Sequence, residues 1–158
     1  MSRISEVLIT SGVPGAGKST WIRKNTNPNL TEVFSADTFF TDKNGVYRFN
    51  PEKLGEAHSE CLRRFTERLI HLSEAAGNSY RITLAVDNTN TAIWEIAPYY
   101  SLAVAFRAPV KILRFFADPE KAFSRNVHGV QKEKVLQMAQ RLENCSFPPF
   151  WNVEDICN

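Results

Sequence analysis

The sequence predicts an α/β fold in which a parallel sheet is flanked by helices on both faces. Three observations lead to this class. Short apolar runs typical of buried strands alternate with helical patterns, the length of 158 residues fits a single domain spanning 1–158, and the composition is ordinary for a globular chain. Hydrophobic residues make up 43% of the chain and charged residues 23%, which excludes a disordered or fibrous protein.

The predicted elements follow one another as strand and helix in turn. Predicted strands cover residues 7–10, 32–35, 82–86 and 110–116, and predicted helices cover 19–24, 54–72, 91–106, 121–126 and 135–142. Gly77 is expected to close the long second helix, and Pro98 is expected to kink or restart the third. The tail from Cys145 onward, rich in proline and aromatic residues, is expected to pack as an irregular apolar segment.

Charge and cysteine content exclude several function classes. The balance of 19 basic and 17 acidic residues gives a net charge of +2, which does not by itself indicate nucleic-acid binding. Cys61, Cys145 and Cys157 are far apart, so neither a zinc site nor a disulfide framework is indicated. The apolar stretch before Gly12 is too short for a signal peptide or a membrane span. A soluble, cytoplasmic chain with no membrane partner is therefore expected, and its oligomeric state is left open.

A glycine-rich segment between the first predicted strand and the first predicted helix matches the motif GxxxxGK[ST] in full. It comprises Gly12, Val13, Pro14, Gly15, Ala16, Gly17, Lys18, Ser19 and Thr20. Such a loop turns its backbone N–H groups toward an anion, and the following helix adds the positive end of its dipole. Lys18 is expected to reach the β- and γ-phosphates of ATP, and the Ser19 hydroxyl is expected to bind Mg²⁺. The motif thus predicts ATP and Mg²⁺ as cofactors.

Two aspartates follow predicted strands at the edge of the sheet where ligands bind in such folds. Asp37 comes just after the second strand, where its carboxylate could take the proton of an acceptor hydroxyl or could instead cap a turn. Asp87 ends the third strand, where an acid facing the metal is expected. The alternative for Asp87 is a helix cap shared with the polar residues at 88–90.

Several motifs together resemble the polynucleotide 5′-hydroxyl kinase branch of P-loop kinases, with zeta-toxin-like kinases as more distant relatives. The motifs are GVPGAGKST, SADTFF, VDNTN and the stretch 118–141. The stretches 45–51, 56–58 and 126–130 are similar to a subfamily that includes kinase-like domains of eukaryotic ubiquitin-ligase-binding proteins and short bacterial and phage chains. The resemblance implies a P-loop kinase fold and transfer of the γ-phosphate of ATP to a 5′-hydroxyl end of DNA or RNA.

The same resemblance implies roles for individual residues. Asp37 becomes the general base that also contacts the substrate, and Arg125 becomes the arginine of a lid at about 118–132 that stabilises the transferring phosphoryl group. The chain departs from the family where many members carry a second lid arginine. His128 and its neighbours stand there, so either Lys132 substitutes or one phosphate contact is missing. His128 has no carboxylate near it in the sequence and is interpreted as a loop histidine, with a catalytic role as the alternative.

The segment 38–50 follows the predicted base and is expected to line the acceptor groove. Its aromatic residues could stack an unpaired base, or Phe39, Phe40 and Phe49 could simply complete the core. Arg48 is expected to bind a backbone phosphate of the acceptor. Two other functions stay open: a kinase acting on a metabolite or nucleotide sugar, and an ATP-binding switch or scaffold with weak turnover.

Overall fold

The computed structural model describes residues 3–75 and 80–157, which form an α/β fold around one parallel sheet. Its strands are β1 (Ile4–Ser11), β2 (Thr31–Phe34), β3 (Ile82–Val86), β4 (Val110–Phe116) and β5 (Val153–Cys157). The order across the sheet is β2-β3-β1-β4-β5, and every neighbouring pair is parallel. β1 therefore lies at the centre, and the residues that follow β1, β2 and β3 all emerge at the same edge.

Five α-helices connect the strands in the described part of the chain. They are α1 (Lys18–Asn25), α2 (Leu54–Glu74), α3 (Ile93–Ala105), α4 (Pro119–Ser124) and α5 (Lys132–Glu143), with short 3-10 helices at Ala36–Phe40 and Pro51–Lys53. Along α2 the buried residues recur every three or four positions, which gives the helix one apolar face against the sheet. No helix within 3–75 and 80–157 is long and apolar enough to cross a membrane.

Helices cover both faces of the sheet, as predicted. On β1 the side chains of Val7 and Ile9 point to one face, where they pack with buried residues of α2 and α3. Leu8 points to the opposite face, where it packs with buried residues of α1, α4 and α5. This alternation follows from the pleat of a strand, which sends successive side chains to opposite sides. The sheet thus separates two apolar layers, each closed by helices.

The four predicted strands are present, but the expectation of an irregular tail was wrong in part. Its last residues form β5, which pairs with β4 and is tied to it by the ion pair of Arg114 with Asp155, 2.8 Å between Nε and Oδ1. The sequence of β5 alternates poorly because it is an edge strand with exposed acidic side chains. Before it, Trp151 stacks on Tyr100 with ring centroids 4.9 Å apart. The tail is therefore an irregular apolar segment up to Trp151, as expected, and a strand from Val153 onward.

Two smaller predictions concern helix ends. Pro98 lies inside α3, which runs on to Ala105, so the helix does not restart at the proline. Gly77, predicted to close the second helix, lies outside the described residues. The second helix itself begins at Leu54, directly after the 3-10 turn that contains Pro51. A proline suits that first turn because its missing N–H has no partner there in any case.

Candidate active site

A cavity of about 1450 Å³ opens at the edge of the sheet where β1, β2 and β3 end. It brings together most of the residues that the sequence singles out. Those that line it are Pro14, Gly15, Gly17, Lys18, Ser19, Thr20, Asp37, Asp87 and Arg125. Gly12, Val13 and Ala16 of the glycine-rich loop are buried behind this lining. Arg48 is exposed and does not line the cavity.

The glycine-rich loop forms because two of its glycines adopt a left-handed backbone. Gly15 has φ +80° and Gly17, which precedes the first residue of α1, has φ +92°. Gly15 also lies against α4, and a Cβ atom added there would overlap the carbonyl oxygen of Ala122. The absence of a side chain at Gly15 thus allows the loop and the short helix α4 to touch through their backbones.

Lys18 is the buried cation of the loop. Its Nζ donates hydrogen bonds to the carbonyl oxygens of Gly12 and Val13 at 3.0 and 2.8 Å. Burial lowers the pKa of Lys18 to about 8, although the negative charges of Asp87 and Asp37 act in the opposite direction. Among the described hydrogen bonds, the direct partners of this buried ammonium group are only neutral carbonyls. Its positive charge therefore favours the binding of an anion. The phosphate groups of a nucleotide supply the negative charge.

Ser19 and Asp87 form a second polar pair beside Lys18. The Ser19 hydroxyl donates to Oδ2 of Asp87 at 2.5 Å. Hydroxyl and carboxylate oxygens are the ligands that Mg²⁺ accepts in proteins, usually one or two of them together with substrate phosphates. No group of three or more His, Cys, Asp or Glu residues within 3–75 and 80–157 is arranged to hold a metal ion alone. The pair therefore fits a metal ion that enters together with a nucleotide.

The polar residues after Asp87 connect three strands and do not cap a helix. The Asn88 side-chain oxygen accepts from the backbone N–H of Ala36 at 2.8 Å, and the Asn90 side-chain amide donates to the carbonyl oxygen of Thr10 at 2.9 Å. Both asparagines are buried. The helix that follows is capped instead by Glu95, which accepts from the N–H of Ala92. These contacts hold the ends of β1, β2 and β3 in a fixed arrangement.

Asp37 lies in the first turn of the 3-10 helix after β2. The hydroxyl of Ser35 accepts from its backbone N–H at 3.2 Å, so Ser35 and not Asp37 is the cap of that helix. The Asp37 carboxylate is half exposed and contacts two side chains from other segments. The Tyr47 hydroxyl donates to Oδ1 at 3.3 Å, and Nε2 of His128 lies 3.6 Å from Oδ2. His128 is a loop residue, as interpreted, but it lies beside a carboxylate from a distant part of the chain.

A tight turn places Tyr47 over Asp37. The N–H of Gly45 donates to the carbonyl oxygen of Asp42, Gly45 has φ +78°, and Thr41 pairs with Tyr47 in an antiparallel bridge. We call residues 41–50 the acceptor hairpin. The sequence signal for it was the pair Asn44-Gly45, which is typical of tight turns. That signal predicts a turn but does not indicate which side chain faces Asp37.

The aromatic residues of this region divide between core and cavity. Phe40 is buried and packs with Phe49 at 5.0 Å between ring centroids, so for Phe40 the core interpretation holds. Phe49 and Tyr47 line the cavity, whereas Phe39 does not. The Arg48 backbone N–H donates to the carbonyl oxygen of Phe40 at 2.8 Å. Tyr47 and Phe49 line the cavity, whereas Arg48 between them does not.

The lid supplies Arg125 to the cavity, but Lys132 is engaged elsewhere. Lys132 Nζ lies 2.8 Å from Oε2 of Glu120 and does not line the cavity, so it does not take the place of a second lid arginine there. Two other cations from α5 line the cavity, Lys134 and Arg141. Arg141 Nε donates to the hydroxyl of Thr91 at 2.9 Å. Sequence reasoning assigned no role to these two residues, which lie on the polar face of an amphipathic helix, although Arg141 closes the stretch 118–141 that carries the resemblance.

The architecture and the loop define the class of protein. A parallel sheet with a phosphate-binding loop between β1 and α1, covered by a short helical lid, is the α/β fold of P-loop kinases, whose members bind nucleotides. Residues 7–143 match a family model described as an AAA domain. The chain therefore belongs to this AAA domain family of P-loop kinase-like ATPases.

A curated relative and several solved structures are similar to this chain. NEDD4-binding protein 2 of Homo sapiens is 32% identical over 145 residues, which cover 87% of this chain but 8% of that protein. A chain of the Pnkp1/Rnl/Hen1 RNA repair complex superposes with a TM-score of 0.66 and 17% identity, covering 89% of this chain and 44% of its own. This chain thus spans less than half of either protein.

Two further structures correspond to this chain over nearly their whole length. Kti12 from Chaetomium thermophilum, in complex with ADP-AlF3, has a TM-score of 0.60 and 16% identity over 96% of this chain and 88% of its own. A gluconokinase from Sinorhizobium meliloti 1021 has a TM-score of 0.56 and 14% identity over 97% and 83%. At such identities the likeness shows the fold, and the acceptor must be argued from the site.

Proposed function

We propose that this protein is an ATP-dependent kinase that transfers the γ-phosphate of ATP to a 5′-hydroxyl end of DNA or RNA. The observation that carries the proposal is the placement of Asp37 in the same cavity as Lys18, close enough for its charge to act on the lysine. A carboxylate beside the phosphate-binding loop is positioned to accept the proton of an attacking hydroxyl. A module that only binds ATP has no need of such a group.

In this proposal each residue of the cavity has one role. Lys18 and the loop backbone bind the phosphates, and Arg125 neutralises the charge that develops on the transferring group. Asp37 accepts the proton as the acceptor oxygen bonds to phosphorus and the bond to the ADP oxygen breaks. Ser19 and Asp87 would hold Mg²⁺, which supplies electrostatic stabilisation of the phosphate oxygens.

The lining near Asp37 supports an acceptor with a ring system. Between residues 35 and 58 the cavity is lined by Tyr47 and Phe49 but by no lysine or arginine. All cations that line it come from α1, the lid and α5. Aromatic side chains stack the face of any nucleobase, whereas an anionic metabolite requires cations. The similarity to a chain of an RNA repair complex and to a protein of the same family agrees with this proposal.

A small-molecule kinase is the second candidate. The position of Arg48 favours it, because an arginine that does not line the cavity does not bind the first acceptor phosphate inside it. The fold likeness to a gluconokinase is in line with this alternative. Arg48 could still contact nucleotides further along a strand, outside the cavity, and that role stays a prediction.

Label transfer separates the two candidates. Wild-type protein is incubated with γ-labelled ATP and Mg²⁺ and with a panel of 5′-hydroxyl DNA, 5′-hydroxyl RNA, mononucleosides and sugars. Label on the oligonucleotides and not on sugars is the expected result. Label only on a sugar or another metabolite would support the second candidate, and ATP binding with no transfer to any acceptor would support a scaffold.

Asp37→Asn tests the central residue of the proposal. The amide keeps the shape and hydrogen-bonding capacity of the side chain, so the melting temperature and ATP affinity should be unchanged. Transfer should fall by roughly 10²–10⁴, the usual worth of a positioned general base. Asp155→Asn is the matched control, because Asp155 pairs with Arg114 on the far side of the sheet and should affect transfer little. Wild-type transfer in Asp37→Asn would remove Asp37 from the mechanism.

A further inference from the structure

The Asp37 carboxylate is contacted by two other segments, one that follows it closely in sequence and one that is remote. Tyr47 comes from the acceptor hairpin and His128 from the lid. The rings of these two residues also touch each other, with centroids 5.0 Å apart. Hairpin and lid therefore meet directly over the carboxylate that the proposed function makes the base.

Asp37 needs such partners because its own segment does little to orient it. It lies in a short 3-10 helix and its side chain is 49% exposed, so the carboxylate is free to rotate toward water. A general base must hold one oxygen within hydrogen-bond distance of the proton that it accepts. The Tyr47 hydroxyl donates to one oxygen and the His128 ring lies 3.6 Å from the other, and both contacts restrict that rotation. Each carboxylate oxygen retains a lone pair for the acceptor hydroxyl.

Each of the two partners is itself held in place. Tyr47 follows the tight turn of the acceptor hairpin, and burial together with the charge and hydrogen bond of Asp37 raises the pKa of its phenol to about 12, so it remains a donor. The His128 backbone N–H donates to the side-chain oxygen of Asn126 at 3.0 Å, and the Asn126 amide donates to the carbonyl oxygen of Val130 at 2.9 Å. The lid turn that carries His128 is thus braced internally.

We propose that His128 is a positioning residue for Asp37, through which the lid orients the base as it covers the cavity. The proposal rests on the proposed function, since it gives Asp37 a proton to accept. According to this proposal, the lid contributes one residue to the phosphoryl group and another to the base. Arg125 serves the phosphoryl group, and His128, three residues further on, serves the base on the acceptor side. His128 itself does not touch the reacting atoms.

The test compares His128→Ala with His128→Gln. The side-chain amide of glutamine places an N–H close to the position of the imidazole Nε2, whereas alanine removes the contact. We expect kcat for transfer to fall about tenfold in His128→Ala, because the contact that orients Asp37 is lost, and to recover most of that loss in His128→Gln. The KM for ATP should not change, because His128 is not part of the phosphate-binding loop. His71→Ala, at an exposed position of α2 outside the cavity, is the matched control.

A double variant shows whether His128 acts through Asp37. If it does, Asp37→Asn with His128→Ala should be no slower than Asp37→Asn alone. A further loss in the double variant, or equal losses in the alanine and glutamine variants, would overturn the proposal. So would unchanged kcat in His128→Ala.

Two readouts keep this test independent of the acceptor. ATP hydrolysis without acceptor is measured on the same variants, since water then takes the place of the hydroxyl. If the wild type labels no 5′-hydroxyl end while His128→Ala still slows hydrolysis, the proposed function fails and the positioning role stands. Histidine side-chain NMR signals provide the second readout. The His128 signals should shift in Asp37→Asn while those of His71 do not, and unchanged His128 signals would refute the contact itself.

Discussion

The two halves of the cavity are built in opposite ways. The phosphate side is formed by one continuous segment whose backbone and single lysine are largely buried. The proposed acceptor side is formed by Asp37, Tyr47 and His128, which come from three segments and are all partly exposed. Backbone groups recognise phosphate whatever is attached to it, whereas exposed side chains can be exchanged without unfolding the domain. The contrast explains why the sequence motif indicates the fold clearly but does not identify the acceptor.

Lys18→Ala should have the largest effect and should act on the phosphate side alone. Turnover should be abolished, because among the described hydrogen bonds Lys18 is the only cation of the cavity whose side chain donates to main-chain carbonyls of the phosphate-binding loop. The fold should survive, since the substitution removes a buried charge. Lys132→Ala is the control, as that lysine pairs with Glu120 outside the cavity lining. Near-normal turnover in Lys18→Ala would end the kinase interpretation.

The same substitution at two glycines compares the halves directly. Gly15 has φ +80° on the phosphate side and Gly45 has φ +78° in the acceptor hairpin. Alanine at either position costs roughly 1–2 kcal/mol for the left-handed backbone. Only at Gly15 does the new Cβ atom overlap another backbone, that of α4, while nothing lies within 4 Å of a Cβ at Gly45.

We therefore expect Gly15→Ala to lower the free energy of unfolding more than Gly45→Ala and to weaken ATP binding, because α4 must move. Chemical denaturation and nucleotide titration measure the two effects. Equal losses of stability, with ATP affinity unchanged in both variants, would show that contact between loop and lid is not required on the phosphate side.

The smallest expected effect is a pH dependence of ATP affinity, which arises on the phosphate side from Lys18. Without ATP, Lys18 loses its proton above a pKa of about 8, and bound phosphates favour the charged form. ATP binding should therefore take up a proton above pH 8, and ATP affinity should fall by up to about tenfold per pH unit. Tyr47 keeps its proton in this range because its pKa is about 12. Calorimetry in buffers of different ionisation enthalpy measures the uptake, and no uptake at pH 9 would contradict the assignment to Lys18.

The sequence was informative wherever neighbouring residues decide the structure. The glycine-rich loop is one segment, so its shape and the burial of Lys18 could be anticipated from the motif. The position of Asp87 followed from the rule that parallel strands end at one edge, although its contact with Ser19 joins distant parts of the chain. β5 was missed because an exposed edge strand carries little apolar periodicity.

The acceptor side could not be predicted because its contacts depend on two loops meeting. Asn44-Gly45 indicates a turn, but whether Tyr47 or Arg48 faces the cavity depends on where that turn starts, and a shift by one residue exchanges the two. His128 reaches Asp37 only because the lid lies over the hairpin. Lys132 pairs with Glu120 and not with a group in the cavity. No local sequence pattern indicates either the contact of His128 or that of Lys132.

The two buried asparagines after β3 have a consequence for redesign. Asn88 and Asn90 join the strand ends to one another through hydrogen bonds that do not involve the acceptor hairpin. The spacing between the phosphate-binding loop and Asp37 is therefore set by contacts beneath the cavity, while the hairpin lies on the other side of Asp37. A graft that replaces residues 41–50 with a hairpin of different side chains should leave that spacing intact. If the proposed function holds, exchanging the hairpin would change which acceptor is bound without changing how the phosphates of ATP are held.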